Sequence, residues 1–328
     1  EGLAVPRMRL SLLQSVADAH KDSIWSVAWA SGADGCEHQL VTGSVDETVQ
    51  LWQEKDLGEG ARSMESLHTF TGHSLGVVSV ATVGNLAASS ALDSIIRVWD
   101  IVGCDTKAII ECPPSETWSI VFNPVSTDPQ LIAVAGGSSN KIKIWSVKDA
   151  SEQASLTMPE RKDGPKEKAK AETFTLSVAI SPDGTKLAAG AMDGTVGVFD
   201  IATSSLLHSI SGHHKAVRSL DFTPDSRQLL TASDDMHIHL YDVAGASLIE
   251  AFSGHSSWVL DVSCHPNGQF FASGSSDASV KLWDISTRSC CQTLEQHKDQ
   301  VWGVAFRGDG MRLASVSDDH TISVFDCA

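Results

Sequence analysis

An aromatic residue closes a short apolar run seven times along this chain: Trp52, Trp99, Trp145, Phe199, Tyr241, Trp283 and Phe325. The intervals are 47, 46, 54, 42, 42 and 42 residues. Six positions before each aromatic stands Asp46, Asp93, Asp193, Asp235, Asp277 or Asp319, with Ser139 in the third unit. Histidines keep the same period at His20, His73, His213, His255 and His297. A unit of this size cannot bury its apolar face alone and must stack on its neighbours, so the repeat constrains the fold more tightly than composition does. Runs such as QLLTASDDMHIHLYD alternate apolar and β-branched residues with turn residues, and no helical period is present.

Seven such units resemble the WD-repeat family over residues 10–328. The resemblance implies an all-β fold, a seven-bladed β-propeller of four-stranded antiparallel blades, preceded by an extension over 1–9. A propeller closes without an exposed sheet edge. The chain ends at the third strand of the seventh unit, VFDCA, while LLQSVADAH before His20 is a fourth strand with no earlier partner. The terminal strands are therefore expected to share blade seven, 11–17 pairing with 321–326.

Five units carry a His, a hydroxyl and an Asp: His20, Thr42, Asp46; His73, Ser89, Asp93; His213, Thr231, Asp235; His255, Ser273, Asp277; His297, Ser315, Asp319. One such set suggests a hydrolase triad. Five copies suggest structure. Each His is expected to bridge a buried Asp to the hydroxyl and, through it, to the closing aromatic Trp52, Trp99, Tyr241 or Trp283. Units three and four lose both ends together, with Pro113 and Ala171 for His and Ala135 and Ala189 for the hydroxyl. No catalytic residue, cofactor or metal site is expected, and the chain is read as no enzyme.

If His and Asp touch, the loop before strand one and the turn between strands two and three share one end of the blade, around the mouth of the central channel. Val259 points into the blade interface, which sends Trp258 and Leu260 toward that mouth. The equivalents of Leu260 are Trp25, Val78, Trp118, Leu176, Arg218 and Trp302; those of Trp258 are Ser23, Gly76, Glu116, Phe174, Ala216 and Gln300. A third ring precedes the turn acids: Val45, Leu92, Ser138, Met192, Asp234, Ser276 and Asp318. Trp29 aligns with Phe222 and Phe306 in strand two. Trp25, Trp118, Trp258 and Trp302 fall on the rings with Phe174, Leu176, Leu92 and Met192. A contiguous apolar cluster of this kind marks a partner-binding site. Glu116, Arg218, Asp234 and Asp318 are expected as a polar fringe able to hydrogen-bond a guest segment. The competing expectation is that the tryptophans only plug the channel.

Net charge is -17, which disfavours a phosphate backbone as direct ligand. No apolar run reaches a membrane span, and EGLAVPRMRL has no secretory pattern. The seven cysteines include no CxxC spacing, so reduced thiols are favoured over zinc or redox chemistry. Residues 150–172 carry interleaved charges and are expected as a mobile loop rather than a nuclear-targeting signal.

The runs GSVDETVQLW, GHSLGVVSV, SSALDSIIRVWD, RSLDFTPDSRQLLTASDD, GHSSWVLDV and HKDQVWGVAF are similar to the small WD-repeat subunit of the superkiller complex, also found in the RNA polymerase II-associated factor complex. The charged loop and the GADGCEHQ insertion depart from that pattern. The resemblance implies a monomeric propeller acting as a non-catalytic scaffold within hetero-complexes. It implies docking on a tetratricopeptide-repeat scaffold that also holds an RNA helicase, assisting exosome-mediated mRNA decay in the cytoplasm. In the nucleus it implies support of transcription elongation and histone modification. Two alternatives remain: a peptide or histone-tail reader, which needs a deep acidic channel, and a ubiquitin-ligase adaptor, whose Trp-Asp-x-Arg signal is missing at Val102 and Ser286.

Overall fold

The structure, a computed structural model, describes residues 8–30, 38–58, 61–114, 117–124, 130–137, 140–161 and 174–328. Among them 28 strands form seven four-stranded antiparallel sheets, with no helix. Six blades are consecutive in sequence. Blade six, for example, runs Val259–Cys264, Phe270–Ser275, Val280–Asp284 and Ser289–Leu294 from the channel outward.

Blade seven is Val301–Phe306, Arg312–Ser317 and Ile322–Cys327, completed by Leu10–Val16 from the other end of the chain. Leu10 pairs with Cys327 and Val16 with Ile322, with a bulge between Leu12 and Gln14. Arg9 and Ala328 exchange two more backbone hydrogen bonds. The termini thus hold each other, as the unpartnered strand before His20 requires.

The core is not central. Seven buried clusters occur among the described residues, one between each pair of neighbouring blades. Each inner strand places a β-branched residue in such a cluster, as Val77, Val217, Val259 and Val301 do at 0% exposure. Burying a side chain of this size contributes about 1.5–3 kcal/mol. Space for it comes from the neighbouring blade. A Cβ on Gly274 would lie 2.8 Å from Val301 Cγ1, so a small residue is needed there.

Two expectations need correction. Trp29, Phe222 and Phe306 end innermost strands, not second strands. Residues 152–157 of the charged run form the outer strand of blade three, because Leu156 alternates inward and is buried. Residues 162–172 of that run lie outside the described residues, as do Cys36 and the rest of the insertion up to 37.

Candidate partner-binding face at the channel mouth

In blade six Trp283 Nε1 donates to Ser273 Oγ at 2.8 Å, and Ser273 Oγ lies 2.7 Å from His255 Nε2. His255 Nδ1 then donates to Asp277 at 2.9 Å. The same path runs Trp52, Thr42, His20, Asp46 in blade one and Trp99, Ser89, His73, Asp93 in blade two. Blade seven has the path from Ser315 through His297 to Asp319, its closing aromatic being Phe325. The five hydroxyl residues are wholly buried, so none of these sets presents a nucleophile to a substrate.

Blade five departs from the expectation. His213 joins Asp235 and Thr231, but Tyr241 does not reach Thr231. Its hydroxyl pairs with His239 Nδ1 at 2.8 Å, and the His239 ring stacks on His213 at 3.9 Å. In blade three, where Ala135 replaces the hydroxyl, Trp145 Nε1 is buried with no partner among the described residues. Burial would raise the carboxyls of Asp46, Asp235, Asp277 and Asp319. The His hydrogen bonds and neighbouring hydroxyl or backbone donors win and hold all four well below the usual range.

These contacts tie the loop before strand one to the turn between strands two and three. Backbone hydrogen bonds join the same two segments: Leu92 N to Gly76 O, Met192 N to Phe174 O, Asp234 N to Ala216 O, Ser276 N to Trp258 O and Asp318 N to Gln300 O. Both outer rings therefore sit at one end of the propeller.

The inner ring is aimed by a device that alternation does not show. Six inner strands bulge one residue after the blade-interface position, at Trp25, Val78, Leu176, Arg218, Leu260 and Trp302. A bulge re-aims a side chain. All six, with Trp118, line one cavity of about 130 Å³ on the channel axis. Trp25 and Trp302 pack at 5.3 Å, and Trp118 meets Phe174 edge-on at 6.1 Å. Ser26, Ser79, Ser119, Ser177, Ser219 and Asp261 also line the cavity.

The family model described as "IFT122 first beta-propeller" matches residues 60–326, and that described as "WD domain, G-beta repeat" matches 11–53. The chain belongs to the WD-repeat β-propellers. It is 46% identical over 219 residues to "WD repeat-containing protein VIP3" of Arabidopsis thaliana, covering 66% of this chain and 65% of that one. It is 32% identical over 206 residues to "WD repeat-containing protein SL1-17" of Schistosoma mansoni, covering 62% and 61%. The matched region spans less than two thirds of either relative's length.

Within this WD-repeat propeller the mouth residues divide by depth. Trp258, Leu92 and Met192 are open, at 45%, 44% and 52% exposure. Trp25, Trp118, Phe174 and Trp302 are half-buried, so Trp302 is not the free ring that alternation implied. Leu176 and Leu260 are buried and belong to the channel wall, not to an open surface. Arg218 and Asp234 form a two-pronged ion pair, both contacts at 2.8 Å, with the guanidinium 5.7 Å from the Trp258 ring centre. They satisfy each other instead of offering a free polar fringe. Asp318 accepts from Gln300 at 3.3 Å and keeps a buried oxygen with no partner among the described residues. Glu116, Ser138 and Ser139 lie outside those residues.

Sequence reasoning missed two apolar residues at this end, Leu75 and Met236, both exposed. Leu75 precedes the inner strand of blade two, inside the aligned loop. Met236 carries a signal of its own. It occupies a turn position with φ 72°, where glycine serves in blade four as Gly194. A long apolar residue in a left-handed, solvent-facing turn does nothing for the fold.

Proposed function

We propose that this propeller is a non-catalytic interaction subunit that grips a partner protein's segment at the channel mouth. The observation that carries the reading is the gathering of Leu75, Leu92, Met192, Met236 and Trp258, all open, at one end of the molecule. An exposed apolar group of this kind, with an aromatic anchor beside half-buried tryptophans, suits a protein partner. The partner is the tetratricopeptide-repeat scaffold of the superkiller complex, together with its RNA helicase. In the nucleus it is the RNA polymerase II-associated factor complex. Support for these complexes is the similarity of six blade segments to their shared small WD-repeat subunit. The role is to hold the machinery of exosome-mediated mRNA decay together in the cytoplasm, and to assist transcription elongation and histone modification in the nucleus.

The test is co-purification of the double variant Trp258→Ala, Met192→Ala with the scaffold protein. Loss of at least roughly 2 kcal/mol, about thirtyfold in affinity, is expected on truncating a central Trp. Retention of wild-type affinity sinks the reading.

A further inference from the structure

The seam between blades seven and one is unlike the other blade junctions. Among the described residues it is the one bridged by buried Arg–carboxylate pairs. Glu54, on the third strand of blade one (Val49–Gly58), is almost wholly enclosed. It accepts from Arg312 Nε at 3.0 Å and Nη2 at 2.8 Å, and from Arg307 Nη1. Both arginines flank the turn between the inner and second strands of blade seven. Arg62, on the partner strand of the same blade-one hairpin, adds a contact at 3.1 Å. Arg307 also binds Asp309 and lies 5.5 Å from the ring centre of Trp29, whose Nε1 donates to Ala305 O at 3.0 Å.

This is also the seam at which the ring can part. Leu10–Val16 is covalently continuous with blade one and joins Ile322–Cys327 only through hydrogen bonds and packing. On the blade-one side Gln14 Oε1 accepts from Met64 N at 2.6 Å. On the other side the Gln292 amide brackets the Leu10 backbone, at 2.9 and 2.8 Å.

We propose that Glu54, by compensating Arg307 and Arg312 at once, is the latch of the ring. When its charge is lost the molecule opens at this seam, Leu10–Val16 leaving Ile322–Cys327 before any blade unfolds. Without that charge Arg307 keeps Asp309 and Arg312 keeps Asp326, both within blade seven, and the one carboxylate that ties the two arginines to blade one is gone. The two guanidiniums, almost wholly enclosed at the seam, gain hydration at least cost by parting the blades that enclose them. Opening also uncovers the outward edge of Ile322–Cys327, an unpaired strand edge.

The test is backbone hydrogen exchange, read by mass spectrometry, on the full chain and on Glu54→Gln. Peptides over 10–16 and 322–327 should exchange at least about tenfold faster, with blades three and four unchanged. An equal rise in every blade would show general loss of stability and overturn the latch. No change at 10–16 would overturn it as well. If Glu54→Gln does not fold, Arg312→Lys keeps the charge and gives up the two-pronged geometry. The same two strands should then quicken by a smaller factor, and quickening elsewhere, or none, overturns the proposal.

Discussion

Asp277 is held by His255 Nδ1, by the backbone N–H groups of Ser256 and Ser279, and by the Ser279 hydroxyl. Asp277→Ala removes the partner of a buried His and should cost about 1–3 kcal/mol in urea unfolding. Among the described residues the Asp193 carboxylate has one such contact, from Thr195 N at 2.9 Å, and no His. Asp193→Ala should therefore cost less, and equal losses would refute a shared His network. The depressed carboxyls of Asp46, Asp235, Asp277 and Asp319 stabilise the ionised, folded form. Their contribution is whole above the unfolded value of 3.8 and is lost as pH falls below it toward the folded values. Asp221 is the opposite case. The residue is only half-buried, yet its carboxyl is enclosed and burial pushes it up to about 7, with Asp261 adding repulsion. The unfolded chain ionises near 3.8, so this charge costs stability increasingly from pH 4 to 7 and fully above 7. Asp221→Asn keeps an acceptor for Cys264 N and should raise the melting temperature at pH 8, by about 1–3 kcal/mol of stability. The gain should vanish below pH 4; a gain that persists there would mean the carboxyl was never the cause.

At the scale of the strand, the inner-strand bulge decides which tryptophan stabilises and which is free. Trp302 is turned inward against Trp25, whereas Trp258 precedes its strand and stands open. Truncating a half-buried ring packed at a tilt on another removes apolar burial and an aromatic pair. Trp302→Ala should lower the melting point markedly. Trp258→Ala should lower it little, because only the Arg218 contact and some apolar area are lost. Thermal scans of the two variants separate a binding residue from a wall residue. If both melt far below wild type, the mouth ring is a plug and the binding proposal loses its anchor.

For the molecule as a whole, stability depends on the strand that closes the ring. The closing contacts join residues more than 280 apart, as Leu10 and Gln292 do. Bringing such ends together costs about 5 kcal/mol in loop entropy, from (3/2)RT ln n. Deleting residues 1–16 removes the compensating ladder and bares the edge of Ile322–Cys327. The truncated chain should unfold at lower denaturant and aggregate, and a synthetic 8–17 peptide added in trans should restore it. Failure of the peptide to shift the midpoint would mean that the strand closes the ring by covalent connection rather than by pairing.

The sequence by itself determined the number of blades, the closure of blade seven and the His, hydroxyl and Asp members of the buried network. These follow from period, from an unpaired terminal strand and from residues that appear and vanish together, all of which are local or repeated signals. It also placed Trp258 and Met192 at the mouth, since strand starts and turn positions follow from alignment alone. Only the tertiary structure decided how far each ring residue is buried. The bulge slips one residue against the neighbouring strand and leaves no mark in a single period, so Leu260 and Trp302 could not be told from surface residues. Arg218 and Asp234 pair with each other instead of standing in a free polar fringe, because contact 16 residues apart depends on where the bulge aims the arginine. Tyr241 turned from Thr231 to His239 because its hydroxyl stands at the far end of the ring, beyond the place of an indole N–H, and there meets His239 Nδ1. Glu54 gave no signal either: its partners lie 253 and 258 residues away, in a turn that meets it only when the ring is closed.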